Sequence, residues 1–185
     1  MAERLTSLPT IEAEVWAELD RASADKQHPW RTPVLATTDG SLGDARTVVL
    51  REVDTAQHRL LVFTDERAAK VAQLLSHPSG TLVMWSASRG WQLRCRVQLS
   101  VQPSGLATSS RWAHIKLSPA AHDYLSPLPP GTPLPALAPT RTTPPEREYF
   151  SVINAEVTSI DWLELHADGH RRALLCGDSS QWLQP

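Results

Sequence analysis

Trp91-Gln-Leu-Arg-Cys-Arg-Val-Gln-Leu-Ser-Val101 alternates without a break, apolar at every odd position and polar or cationic at every even one. A period of two over eleven residues is the pattern of a strand with one packed face. The opposite face then offers Gln92, Arg94 and Arg96. Upstream, Arg46-Thr-Val-Val-Leu-Arg51 reads as a strand, followed by a turn around Asp54–His58 and a second strand over Leu60-Leu-Val-Phe63. Thr64-Asp-Glu-Arg67-Ala-Ala-Lys70 then opens a helix predicted over residues 66–75, with Thr64 and Asp65 both suited to cap it. That helix stops before His77-Pro78, and Thr81-Leu-Val-Met-Trp85 resumes strand before the turn at Ser88-Arg89-Gly90.

Outward from this centre the remaining elements follow. Residues 10–24 predict an amphipathic helix capped by Thr10, with Ile11, Val15, Trp16 and Leu19 at helical spacing. Pro33–Thr37 reads as a short strand, and Asp39-Gly40 as the hairpin turn leading to Arg46. Residues 104–125 read as helix in two pieces broken at Ser118-Pro119. Residues 126–145 hold eight prolines, which excludes a helix or a central strand and predicts an extended surface loop. Tyr149–Leu165 returns to strand, and Asp168-Gly169 turns the chain into Arg171–Leu175. Six or seven strands with two or three helices predict an α+β fold, an antiparallel barrel with helical covers, as one domain over residues 1–185.

A net charge of −2 argues against a general nucleic-acid binder, and no apolar run is long enough to span a membrane. Without a basic-then-apolar leader pattern, the expectation is a soluble cytoplasmic protein. Cys95 and Cys176 are too few and too far apart for a zinc site or a disulfide framework. His166 and His170 are four apart, but the Asp168-Gly169 turn separates them, so no metal site is expected. Neither a Gly-x-Ser-x-Gly elbow nor a Gly-x-Gly-x-x-Gly loop occurs.

The positive signal is for an anion. A helix start carries unpaired N–H groups and partial positive charge, and Arg67 and Lys70 are neighbours on one helix face. Such a face is also what solvent exposure alone would produce, but Arg46 and Arg51 add cations from the adjoining sheet. A phosphorylated, planar cofactor would suit this arrangement, its polar ring edge met by backbone groups and Gln92.

With these stretches in place, the chain resembles the pyridoxine/pyridoxamine 5′-phosphate oxidase-like FMN-binding split barrels, over residues 30–185. The resemblance rests on Arg46-Thr-Val-Val-Leu-Arg51, on Phe63-Thr64 with Arg67 and Lys70, on Trp91-Gln92-Leu93-Arg94, and on Trp162 followed by His170-Arg171-Arg172. It implies a split β-barrel and an FMN site in which Arg46, Arg67 and Lys70 grip the phosphate. Val48, Val49, Arg51, Phe63, Thr64 and Gln92 would line the rest, with Trp162 and Arg172 supplied by the second subunit of a homodimer. Arg51, Arg94 and His170 are the implied contacts to a small-molecule substrate. The oxidase's own substrate-phosphate pattern is absent from Pro103–Lys116, and Arg51 and Ala68 stand where the family has Lys and Ser, so the resemblance is to a divergent branch. The expectation is an FMN-dependent oxidoreductase that transfers a hydride between a small substrate and flavin N5. The alternatives are a split barrel that holds flavin or another ligand without turnover, or one that holds haem, against which no axial His stands on a strand face.

Overall fold

The computed structural model describes residues 4–134 and 148–185. The predicted loop therefore falls within the described residues only over 126–134; residues 135–145 lie outside them. Helix α1, Leu8–Ala24, starts two residues before the predicted boundary. Ser7 caps it, its hydroxyl accepting the Thr10 N–H at 3.3 Å, so Thr10 is not the cap. Pro9 sits in the first turn, where a missing N–H costs nothing.

Among the described residues nine strands form one antiparallel sheet: β1 Val34–Thr38, β2 Gly43–Thr47, β3 Leu50–Asp54, β4 Arg59–Asp65, β5 Ser79–Ser86, β6 Trp91–Gln102, β7 Phe150–Glu164, β8 Arg171–Leu175 and β9 Gln181–Leu183. Seven of them run in the order β2-β1-β5-β6-β7-β4-β3, and β8 with β9 extends from β7. The two ends of that path, β2 and β3, are consecutive in the chain and separated only by Val48 and Val49. Three Cα steps reach at most about 11 Å. The sheet must therefore curl until its edges lie side by side, which makes a barrel. Among the described residues β2 and β3 form no ladder with each other, so the barrel is split along that seam. The sequence reading of 46–51 as one strand needs correction here. The Val48 N–H donates to the Pro33 carbonyl at 2.9 Å, and the chain turns from one sheet edge to the other between Thr47 and Leu50.

Strand β6 keeps the predicted alternation, with Trp91, Leu93, Cys95, Val97 and Leu99 buried and the residues between them facing outward. The inner face packs with Leu35, Leu50, Leu60, Val62, Leu82, Ile153, Ile160 and Trp162, and α1 closes one end with Ile11, Val15, Trp16 and Leu19. Burial pushes the Cys95 thiol up to about 12, so it stays an inert core group. On the outer face of β4 and β7 a second cluster, Leu61, Phe150 and Val152, is covered by Trp112 of α3 (Leu106–Ile115) and by Tyr124 of the following 3-10 turn. At a bulge opposite Arg96 and Val97, β7 exchanges β4 for β8 as its second neighbour.

Gly90 shows how tightly the β5–β6 turn is built. Its φ is +64°, and a Cβ there would stand 2.4 Å from the Leu165 carbonyl oxygen, whose own N–H donates to the Gly90 carbonyl. Gly90→Ala should cost at least about 1–2 kcal/mol from backbone conformation alone, lowering the thermal midpoint by several degrees. Gly43→Ala, with ordinary backbone and open space around it, should change stability by less than about 0.5 kcal/mol. Thermal melts of the two variants check this.

Candidate functional site

Helix α2, Ala69–Ser76, begins later than predicted. Ala68 occupies its N-cap and offers no side-chain acceptor, so neither Thr64 nor Asp65 caps it. Both are instead the last two residues of β4, almost fully buried. The first-turn N–H groups therefore have no side chain to satisfy them, and cations gather nearby. Among the described residues Lys70 Nζ donates only to Thr64 Oγ1, at 3.1 Å. Its pKa is lowered, first by burial and then by the charge of Arg46. A buried ammonium beside a second cation is a position that an anion would stabilise.

Arg46 reaches this corner from β2. Its guanidinium donates to Thr37 Oγ1 at 2.6 Å and to Gln73 Oε1 at 3.0 Å, and it pairs with Asp44. Gln73 stands three residues after Lys70, on the same face of α2. That spacing was readable from sequence, but the Thr37 and Asp44 contacts depend on strand pairing. The Asp44 side chain is 48% exposed, so its pairing with Arg46 is a water-screened surface ion pair, which an incoming anion can replace.

Arg67 differs. It grips both oxygens of Asp65, at 3.0 and 2.7 Å, and that carboxylate is 3% exposed. Its remaining donors go to backbone carbonyls, with Ser126 O at 2.8 Å. Removing one partner of a buried pair costs about 3–5 kcal/mol. Arg67, expected to grip a phosphate beside Lys70, is thus committed elsewhere.

The other expected residues occupy three further places. Val48 is buried at the strand break and Val49 is half-buried beside it. Arg51 is the extra residue of a bulge in β3, and its guanidinium lies 5.7 Å from the Phe63 ring centroid, beside Tyr124. The Tyr124 hydroxyl is pushed up by burial, against the pull of Arg51.

Gln92, Arg94 and Arg172 share the outer face of β6 and β8. Arg172 holds Asp161 through both oxygens, at 3.0 and 2.7 Å, and Arg94 joins the same carboxylate. Burial raises the Asp161 pKa, but the two guanidiniums outweigh it and hold the carboxyl below the usual range. Asp161 stands opposite Arg94 in the β6–β7 register, a relation invisible before the strands were paired.

Trp162 must be corrected. It points inward, is 0% exposed, and packs edge-to-face on Trp91 with centroids 5.3 Å apart. A side chain at the centre of its own core cannot line a partner subunit's cofactor. His170 is exposed in the β7–β8 turn, its Nδ1 accepting the His166 N–H at 3.2 Å. Among the described residues no group of three His, Cys, Asp or Glu side chains could hold a metal ion, and no helix is long and apolar enough to cross a membrane.

Residues 13–103 match the family model described as the pyridoxamine 5′-phosphate oxidase FMN-binding domain. Among solved structures, the chain is similar to a pyridoxamine 5′-phosphate oxidase-related, FMN-binding protein from Nostoc punctiforme, with 21% identity, a TM-score of 0.71, and coverage of 99% of this chain and 100% of that one. It is also similar to PhzG from Burkholderia lata, solved with tetrahydrophenazine-1-carboxylic acid: 15% identity, TM-score 0.65, covering 96% and 92% of the two chains. A third is a putative pyridoxamine 5′-phosphate oxidase from Listeria innocua, 16% identical with a TM-score of 0.52, covering 81% and 95%. No curated protein matches the chain. The segment that carries β1–β6 and α2 thus bears the sequence pattern of the pyridoxamine 5′-phosphate oxidase FMN-binding domain, and the whole chain has that family's split-barrel fold in a divergent form.

Proposed function

We propose that the protein binds FMN, with the flavin phosphate at the corner formed by Lys70, Arg46 and the uncapped start of α2, and that it acts as a flavin-dependent oxidoreductase on a small substrate. The observation that carries this reading is Lys70, a half-buried ammonium with one neutral hydrogen-bond partner and a second cation beside it. Asp65 and Asp44 offset part of the cost of burying Lys70 beside Arg46, and a phosphate would add a direct anionic partner where Lys70 now has only the Thr64 hydroxyl. Val48 and Val49 stand at the seam where β2 and β3 are not paired to each other, and we place the polar edge of the ring against them. Bound there, FMN supplies hydride transfer at N5, and the protein's part is to position and tune it.

The second half of the site is a partner surface. Cross-strand register sets two continuous rows on the outer face: Trp85, Gln92, Leu163 and Arg172 in one, and Val34, Val83, Arg94, Asp161 and Leu174 in the other. Trp85 is 45% exposed and Val34 39%. An apolar patch threaded with an Arg–Asp–Arg cluster, one carboxylate shared by two guanidiniums, has the composition of an interface centre. We read it as the homodimer contact, which would carry Gln92, Arg94 and Arg172 toward the flavin of the other subunit. The two guanidiniums are then placed to stabilise negative charge on reduced flavin or substrate.

Three outcomes are expected. Titration of apo-protein should show FMN binding far more tightly than riboflavin, and Lys70→Gln should weaken FMN by about tenfold or more while leaving riboflavin nearly unchanged. Equal affinity for the two flavins in the wild type would remove the phosphate assignment. FMN affinity should fall as pH rises, beginning at a lower pH than an ordinary lysine would give, because the depressed pKa strips the Lys70 charge early; the Lys70→Gln variant should lose that fall. Trp85→Asp should convert a dimer to monomer in analytical ultracentrifugation and weaken flavin binding with it; a wild-type monomer would refute the partner surface.

A further inference from the structure

Tyr124 and Tyr149 flank the proline-rich stretch, and the chain on both sides of it meets one side chain. Arg67 Nη2 donates to the Ser126 carbonyl at 2.8 Å and Nη1 to the Pro127 carbonyl at 3.3 Å, where the chain departs. Where it returns, the Tyr149 ring lies flat under the same guanidinium, its centroid 3.3 Å from Cζ. Backbone bonds tie the same junction: Glu66 N donates to Tyr149 O at 2.8 Å, and Tyr149 N to Tyr124 O at 3.0 Å. Asp65 holds Arg67 in place from below, accepting from Nε, from Nη2 and, at 2.8 Å, from the Arg67 backbone N–H. All three guanidinium nitrogens are thus engaged, against the single bond made by Lys70.

We infer that Arg67 is a positioning residue that clasps the two ends of the proline-rich excursion against the β4–α2 connection, and that it is not a ligand of the cofactor phosphate. The functional half of this inference rests on the FMN reading above. Asp65 follows Thr64, the acceptor that aims Lys70, so the clasp and the phosphate corner share one stretch of backbone. Loosening the clasp frees that backbone as a unit. It acts on the whole flavin and spares the phosphate contact itself.

A phosphate ligand and a clasp are separated by the ratio of riboflavin to FMN dissociation constants. Lys70→Gln should collapse that ratio. Arg67→Gln should weaken both flavins by a similar factor and leave the ratio within about twofold, since the charge-assisted bonds to the phosphate remain. It should also speed trypsin cleavage after Arg141 or Arg147, the only Lys or Arg residues between Lys116 and Arg171, by about tenfold or more, as the clasped backbone at Ser126 and Tyr149 opens more often. Tyr149→Ala should accelerate cleavage likewise, and Tyr149→Phe, which keeps the ring, should not. Should Arg67→Gln fold poorly, Arg67→Lys retains the charge but not the fork, and the same result is expected of it: faster cleavage with the ratio kept. A collapsed ratio in an Arg67 variant overturns the inference, as does an unchanged cleavage rate. If the wild type binds neither flavin, the FMN reading falls, and the cleavage comparison still decides whether Arg67 is a clasp.

Discussion

Two residues, Val48 and Val49, carry the chain from one edge of a seven-strand path to the other, and the rest of the architecture answers to that short crossing. Because the connection is so brief, the sheet has to close on itself, and the inner faces of β1, β4, β5, β6 and β7 become one core. The crossing joins two strands that pair with other neighbours and not with each other, so a seam remains where they meet. Arg46, two residues before Val48, and Arg51, two residues after Val49, place cations on either side. A fold that closes in this way creates a polar, cationic notch at its own join.

Burial decides which cations remain available at that notch. Lys70 and Arg67 are three residues apart on paper and both cationic, yet their surroundings give them different work. Arg67 faces a carboxylate that solvent does not reach, and a fork of donors matches its two oxygens. Lys70 faces a hydroxyl and another cation. Arg46 is intermediate, matched to a carboxylate that water already screens. The distinction between a structural and a ligand-binding cation here is a difference in the exposure of the partner.

What sequence could reveal follows from the same physics. The β6 alternation, the hairpin turns, the division of residues 104–125 and the long β7 strand all have local signals, and these were readable. The break at Val48–Val49 has none: Val-Val-Leu is strong strand sequence, and the chain is parted by the Pro33 carbonyl and by the demands of closure. The early start of α1 was hidden by a proline that is harmless in a first turn. Strand β9 is three residues long, too short to show a period. Of the candidate site, Lys70, Thr64 and Arg46 were named and do come together. Trp162 was placed by spacing alone, and spacing does not say that position 162 faces inward opposite Leu93. Asp161 and Asp65, which set the roles of Arg172 and Arg67, could be seen only once strands and turns had been paired.

The sheet order also separates two ideas that are easily treated as one. Residues 13–103 carry the family pattern, yet β7, at residues 150–164, lies between β6 and β4 and bonds to both. During synthesis every strand of the matched segment would leave the ribosome before the strand that joins its two halves. Until then β4 and β6 present long unpaired edges of the kind that recruit other chains. The stretch that carries the family pattern is therefore not a closed sheet by itself, and needs a strand from outside it to join its two halves.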